Sequence, residues 1–137
     1  MLLPKKVKHR KWHKGRSRSR KVETRGLTVI HGNYGLKAMG SAWLNSRQIE
    51  AARKSVTNFL KREGRLFIRV FPDKPVTARP PEQTMGGGKG SVDHYVFPVK
   101  PGRIILELDG VSEVKAKEAF RVAGHKLPFK TKVVTRT

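Results

Sequence analysis

Arg103-Ile-Ile-Leu-Glu-Leu-Asp-Gly-Val-Ser-Glu-Val-Lys-Ala-Lys-Glu-Ala-Phe-Arg-Val-Ala-Gly124 decides the fold, because it carries a strand and a capped helix in close succession. Alternation from Arg103 to Asp109 predicts a strand with Ile104, Leu106 and Leu108 inward. Ser112 then caps a helix running to about Ala123, because a Ser hydroxyl can accept one of the amide protons a first helical turn leaves unpaired. Ala116, Ala119, Phe120 and Ala123 form its apolar stripe, and Gly124 ends it.

The same grammar extends outward. Pro101-Gly102 makes a turn, and Val92 to Val99 is strand-like with Tyr95, Phe97 and Val99 on one side. Pro98 lacks an amide proton, which argues for an edge position or an early end. Phe129, Thr131 and Val133 alternate with Lys130, Lys132 and Val134 in a last strand. Towards the N-terminus, Leu27 to His31 is a β-prone run closed by Gly32, and Tyr34 to Met39 reads as a looser strand. Asn45 to Arg62 takes a helical period, with Asn45 and Gln48 as a reciprocal cap and Gly64 as a stop. Ile49, Ala52, Val56, Phe59 and Leu60 share one face of it, and Arg47, Lys54, Lys61 and Arg62 gather opposite. Arg65 to Phe71 alternates again, sending Leu66, Ile68 and Val70 one way and Arg65, Phe67, Arg69 and Phe71 the other. Those cations and aromatics could grip bases and phosphates, or could lie across a covered face of a central strand. Helices returning onto such strands predict an α+β fold: a two-layer sandwich of a mainly antiparallel sheet with two helices. No internal repeat is visible.

Charge separates this chain from an ordinary small domain. Its 137 residues hold 31 Lys+Arg against 10 Asp+Glu, a formal net charge of +21. Self-repulsion of that size favours a polyanionic partner, and nucleic acid leads. Residues 1–25 contain eleven cations and a single acid, Glu23. With only Leu2, Leu3, Val7, Trp12 and Val22 to bury, this segment reads as a basic N-terminal extension that orders on a partner. Residues 26–137 read as one α+β domain. Cysteine is absent, which excludes disulfides and thiolate metal sites. No apolar run approaches the ~20 residues of a membrane span, so no membrane partner is expected.

Between the strands at 65–71 and 92–99 stands a long Pro/Gly segment, read as a structureless loop projecting over 72–91. Pro72, Pro75, Pro80 and Pro81 stiffen its first half; Gly86, Gly87, Gly88 and Gly90 let its second half approach another molecule. Lys74, Arg79 and Lys89 are nearly balanced by Asp73 and Glu82. Its task is therefore placement more than attraction. Met85 to Ser91 superficially resembles a phosphate-binding glycine loop, but Gly90 separates Lys89 from Ser91 and Thr84 stands where a Walker glycine belongs, so nucleotide hydrolysis is excluded.

No catalytic set survives comparison with simpler roles. His9 and His13 have helical ligand spacing but sit among cations that resist a divalent metal, so contact with phosphate or base competes with plain solvation there. His125 follows a helix end and suits its dipole. Glu107 and Asp109 share a strand face and are explained by ion pairing with Lys115 and Lys117. No cofactor, metal or small-molecule substrate is expected.

Several blocks, in order, resemble the bacterial and organellar large-subunit ribosomal protein L-sixteen family over almost the full chain. They are Met1-Leu-x-Pro-Lys5 with Arg10-Lys-x-His-Lys-Gly-Arg16; Tyr34-Gly-Leu36; Arg47-Gln-Ile-Glu-Ala-Ala-Arg53; Ile68-Arg-Val-Phe-Pro-Asp-Lys-Pro-Val-Thr77; Met85-Gly-x-Gly-Lys-Gly90; Lys100-Pro-Gly-Arg103; and Gly124-His-Lys-Leu-Pro-x-Lys-Thr-Lys132. The resemblance implies a non-enzymatic structural protein that binds large-subunit rRNA near the A-site side of the peptidyl transferase region. Its partners would be that rRNA, neighbouring ribosomal proteins and A-site tRNA, with P-site tRNA a further candidate. Its location would be a ribosome of the cytoplasm or of an organelle.

On this reading rRNA is held by Lys5, Lys6, Lys8, Arg10, Lys11, His13, Lys14, Arg16, Arg18 and Arg20 of the extension and by Arg47, Lys54, Lys61 and Arg62 of the helix. The tRNA-proximal loop comprises Arg79, Thr84, Met85, Gly86, Gly87, Gly88, Lys89 and Gly90. Family members usually carry an arginine, hydroxylated in some bacteria, immediately before Met-Gly-x-Gly-Lys-Gly. Thr84 stands there instead, so that modification does not carry over, and Arg79 is the nearest compensating cation. An RNA-processing or RNA-modifying enzyme is the alternative; a general nucleic-acid-coating protein is a third reading.

Overall fold

The computed structural model describes residues 1–15 and 21–137. The elements run β1 (Tyr34–Ala38), β2 (Ala42–Asn45), α1 (Ser46–Phe59), β3 (Arg65–Ile68), β4 (Lys74–Ala78), β5 (Ser91–Val99), β6 (Ile104–Asp109), α2 (Glu113–Gly124) and β7 (Thr131–Thr135). They make the expected α+β sandwich, with the strands divided into two antiparallel sheets ordered β3-β6-β1-β7 and β2-β5-β4.

Both helices begin where their caps dictate. The Asn45 side chain accepts the Gln48 amide at 2.9 Å, and Gln48 Oε1 accepts the Asn45 amide at 3.1 Å, closing a capping box. Ser112 accepts from the Lys115 amide. Ala116, Ala119, Phe120 and Ala123 are all buried, and they join Ile49, Ala52 and Val56 of α1 in one core with Leu36, Leu106 and Leu108. Burying Phe120 alone contributes about 2 kcal/mol, and the alanines let the two helices approach closely.

The structure corrects several expectations. Residues 27–31 form no strand; they cross the outer face of the four-stranded sheet as a strap, with the Ile104 amide donating to the Gly26 carbonyl and the Asn33 amide to that of Leu108. The register of β1 on β6 shifts between Leu36 and Lys37, so Ile105, not Ile104, joins the core cluster beside Leu106 and Leu108. Ile104 lies under the strap, near Val29 and Gly35. Phe59 is exposed, and α1 ends at Phe59 with Leu60 as its cap instead of running to Arg62. Lys61 (φ 50°) and Arg62 (φ 65°) then adopt left-handed backbone, and the Arg62 amide returns to the Thr57 carbonyl.

The 72–91 segment is not structureless. Lys74–Ala78 pairs with β5, making a hairpin whose irregular tip spans 79–90, because Pro75 fixes an extended φ and presents no amide that the pairing needs. β5 is accordingly the middle strand of its sheet, not an edge. Pro98 is tolerated because β4 begins only at Lys74, opposite Val96, leaving one flank of Pro98 open while Trp43 lies on the other.

Candidate nucleic-acid interface

At the hairpin tip the backbone itself sets the shape. Gly86, Gly87 and Gly88 have φ of 114°, 78° and 88°, and a side chain on any of them would meet no atom within 4 Å. Glycine is needed there for conformation, in a region where L-residues are strained, and not for packing. Met85 is fully exposed. Arg79 leaves the end of β4 and turns inward: its Nη1 donates to the Gly86 carbonyl at 2.6 Å and approaches that of Thr84 at 3.5 Å. Its guanidinium therefore lies against the backbone at Thr84, where the resemblance expects an arginine side chain.

The N-terminal arm runs beside this tip. Lys11 Nζ donates to the Lys89 carbonyl at 3.0 Å, and Lys89 Nζ donates back to that of Trp12. Lys74 Nζ donates to the Lys14 carbonyl and lies 4.5 Å from the Trp43 ring centroid, a cation held over a π face. Leu2 packs on the core, fixing the other end of the arm. Between arm and tip lies a cleft of about 720 Å³ whose walls include Arg10, Lys11, Arg79, Lys89, Thr84 and Tyr95, with no acidic residue among those lining it.

Other predicted contacts are placed separately. Lys5, Lys6 and Lys8 line a second groove with Trp12 and Phe71. His13 and Lys14 are exposed near the arm's end. Arg47 and Lys54 project from the exposed side of α1, and Lys61 and Arg62 stand just past its end. Arg16, Arg18 and Arg20 lie outside the described residues.

The helix acids are paired locally, whereas Asp73 shares the groove of Lys5, Lys6 and Lys8 and Asp93 lies near Arg47 at the start of α1. On α1, Glu50 pairs with Arg53 at 2.5 Å, and that bond holds its carboxyl below the usual range. Around α2, Glu63 pairs with Lys115, Glu113 with Lys117 and Glu118 with Arg121. Lys115 and Lys117 are thus not the partners of Glu107 and Asp109. Asp109 accepts from Asn33 Nδ2 at 3.0 Å. Glu107 is fully buried and accepts from the amides of Ile30, His31 and Gly32 and from Arg69. Arg69 is therefore a structural residue. Arg65 remains exposed, 6.0 Å from the Phe67 ring, on which His31 stacks at 5.4 Å.

The sequence does not mark Tyr95 as part of this interface. Alternation along β5 sets Tyr95 with Phe97 and Val99 on the apolar side, and its pairing opposite Pro75 brings it to the cleft wall. Arg103 sits over the Phe97 ring at 5.1 Å and reaches the Arg25 and Arg69 carbonyls, tying the strap to the second sheet. Among the described residues no three His, Asp or Glu side chains gather as a metal site, and no helix is long and apolar enough to cross a membrane. A family model described as ribosomal protein L16p/L10e matches residues 4–134.

Proposed function

The chain belongs to the ribosomal protein L16p/L10e family, and from that premise we propose that it grips large-subunit rRNA with its arm and α1 cations while its hairpin tip approaches tRNA. The family role, a structural protein of the large ribosomal subunit that works beside rRNA and other ribosomal proteins in translation, is the frame of this reading. Within it the protein performs no turnover, and its place is the ribosome, of the cytoplasm or of an organelle.

The observation that carries the proposal is the fastening of a cationic arm to an exposed glycine tip by Lys11 and Lys89. Phosphate contacts supply affinity without reading sequence, which suits the arm and α1. Bare backbone at Gly86, Gly87 and Gly88 permits an approach that side chains would block, which suits contact with a tRNA surface on the A-site side. P-site tRNA is a further candidate for the same tip.

Sedimentation tests the reading. Tagged protein should travel with the large subunit through a sucrose gradient in moderate salt, and recovery solely from the soluble fraction would overturn it.

A further inference from the structure

We propose that the cleft between arm and hairpin tip seats a phosphodiester of single-stranded RNA, and that the seated phosphate locks arm and tip into one unit. The inference rests on the RNA-binding reading above and assigns it a specific site.

Four cations, Arg10, Lys11, Arg79 and Lys89, line the cleft with no acid among the lining residues, so they repel one another until an anion enters. Their existing bonds do not exhaust them. Lys11 and Lys89 each give one bond to a backbone carbonyl, and an ammonium carries three donors. Arg79 uses Nη1 on the tip, and the rest of its five-donor fork stays available, in a geometry that matches two phosphate oxygens. The volume of about 720 Å³ accommodates a nucleotide, with the Tyr95 ring on the wall for a base or ribose to lie against.

Two of the cations come from the arm and two from the hairpin, so an anion held by all four bridges segments more than sixty residues apart in sequence. Such an anion binds the closed arrangement only, and by linkage its binding stabilises that arrangement. This makes the position of the tip responsive to RNA bound at the arm.

Lysine acetylation of the full chain, read residue by residue by mass spectrometry, tests the site. With a short mixed-sequence single-stranded ribo-oligonucleotide, the reactivity of Lys11 and Lys89 should fall severalfold, while Lys117 on α2 changes little. In Arg79→Gln the protection of Lys89 should be lost. Protection of Lys54 and Lys61 without Lys11 and Lys89 overturns the cleft and leaves the RNA reading standing; protection of no lysine overturns both. Equal protection by inorganic phosphate, or by polyglutamate at matched charge, overturns the assignment to RNA.

Discussion

Arg69 closes over the buried carboxylate of Glu107 and completes a cradle begun by three successive amides of the strap, those of Ile30, His31 and Gly32. A strap that forms no strand thereby gains three bonds from one buried carboxylate, beside the backbone bonds at Gly26 and Asn33 and the Arg69 bond to the Thr28 carbonyl.

That arrangement predicts an acid-sensitive fold. Burial alone would raise the Glu107 carboxyl, but the Arg69 bond and the amides of Gly32, Ile30 and His31 outweigh it, so its value lies below the ordinary 4.5. A depressed carboxyl contributes its stability fully above its unfolded value and loses it as pH falls through the folded one. Urea midpoints of the wild type should decline below about pH 4.5, more steeply than those of Glu107→Gln. At neutral pH, Glu107→Gln should cost about 3 kcal/mol, because it strands the Arg69 charge. Coincident acid limbs for the two proteins would mean that Glu107 does not titrate in this way.

Two glycines should respond oppositely to alanine. A methyl group on Gly32 would lie 2.4 Å from the Leu108 carbonyl oxygen, and backbone cannot swing aside, so Gly32→Ala should lose about 2 kcal/mol in urea unfolding. Gly87→Ala meets no neighbour, and its φ of 78° imposes a local strain of about 1 kcal/mol that the free tip relieves by moving. Its unfolding midpoint should match the wild type, while A-site tRNA binding by subunits reconstituted with it falls.

How legible these features were follows from the range of the forces behind them. Asn45, Gln48 and Ser112 act within one helical turn, and the α2 stripe needs only its own period, so both helix starts and the core face of α2 can be read directly. β4 cannot, because Lys74 to Ala78 becomes a strand only by pairing with β5 across twelve intervening residues, and Pro75 disguises it. Leu27 to His31 has strand composition, but its amides are claimed by Glu107, a residue more than seventy positions away. At the interface the cations were visible, whereas the cleft was not, since it exists only where arm and hairpin meet.

Arg79→Gln isolates the tip from the rest of the fold. Loss of the bond to the Gly86 carbonyl should raise opening of the tip about fivefold, corresponding to about 1 kcal/mol, and hydrogen exchange of the 83–88 amides reads this directly. Exchange in β6 should not change. Faster exchange throughout would show that Arg79 supports the body and not the tip.

Truncation should stop before the strap. Glu23 donates its amide to the Pro101 carbonyl and sits 4.0 Å from Arg103, so removing residues 1–25 would damage the body as well as the arm. Removing residues 1–15 deletes Lys5, Lys6, Lys8, Arg10, Lys11 and Lys14 and spares that contact. The log–log salt slope of rRNA binding should flatten by about 0.7 to 0.9 for each phosphate released. An unchanged slope would reduce the arm to a solubilising segment.

The end of α1 carries a different message. Lys61 and Arg62 both hold left-handed backbone, which costs an L-residue about 1 kcal/mol and glycine almost nothing. Glycine at either position is the obvious thermostabilising edit, yet it removes a cation from the face proposed for rRNA. A campaign that screened this protein for heat resistance alone would gather such glycines, and each would yield a hardier chain with less reason to stay on the ribosome.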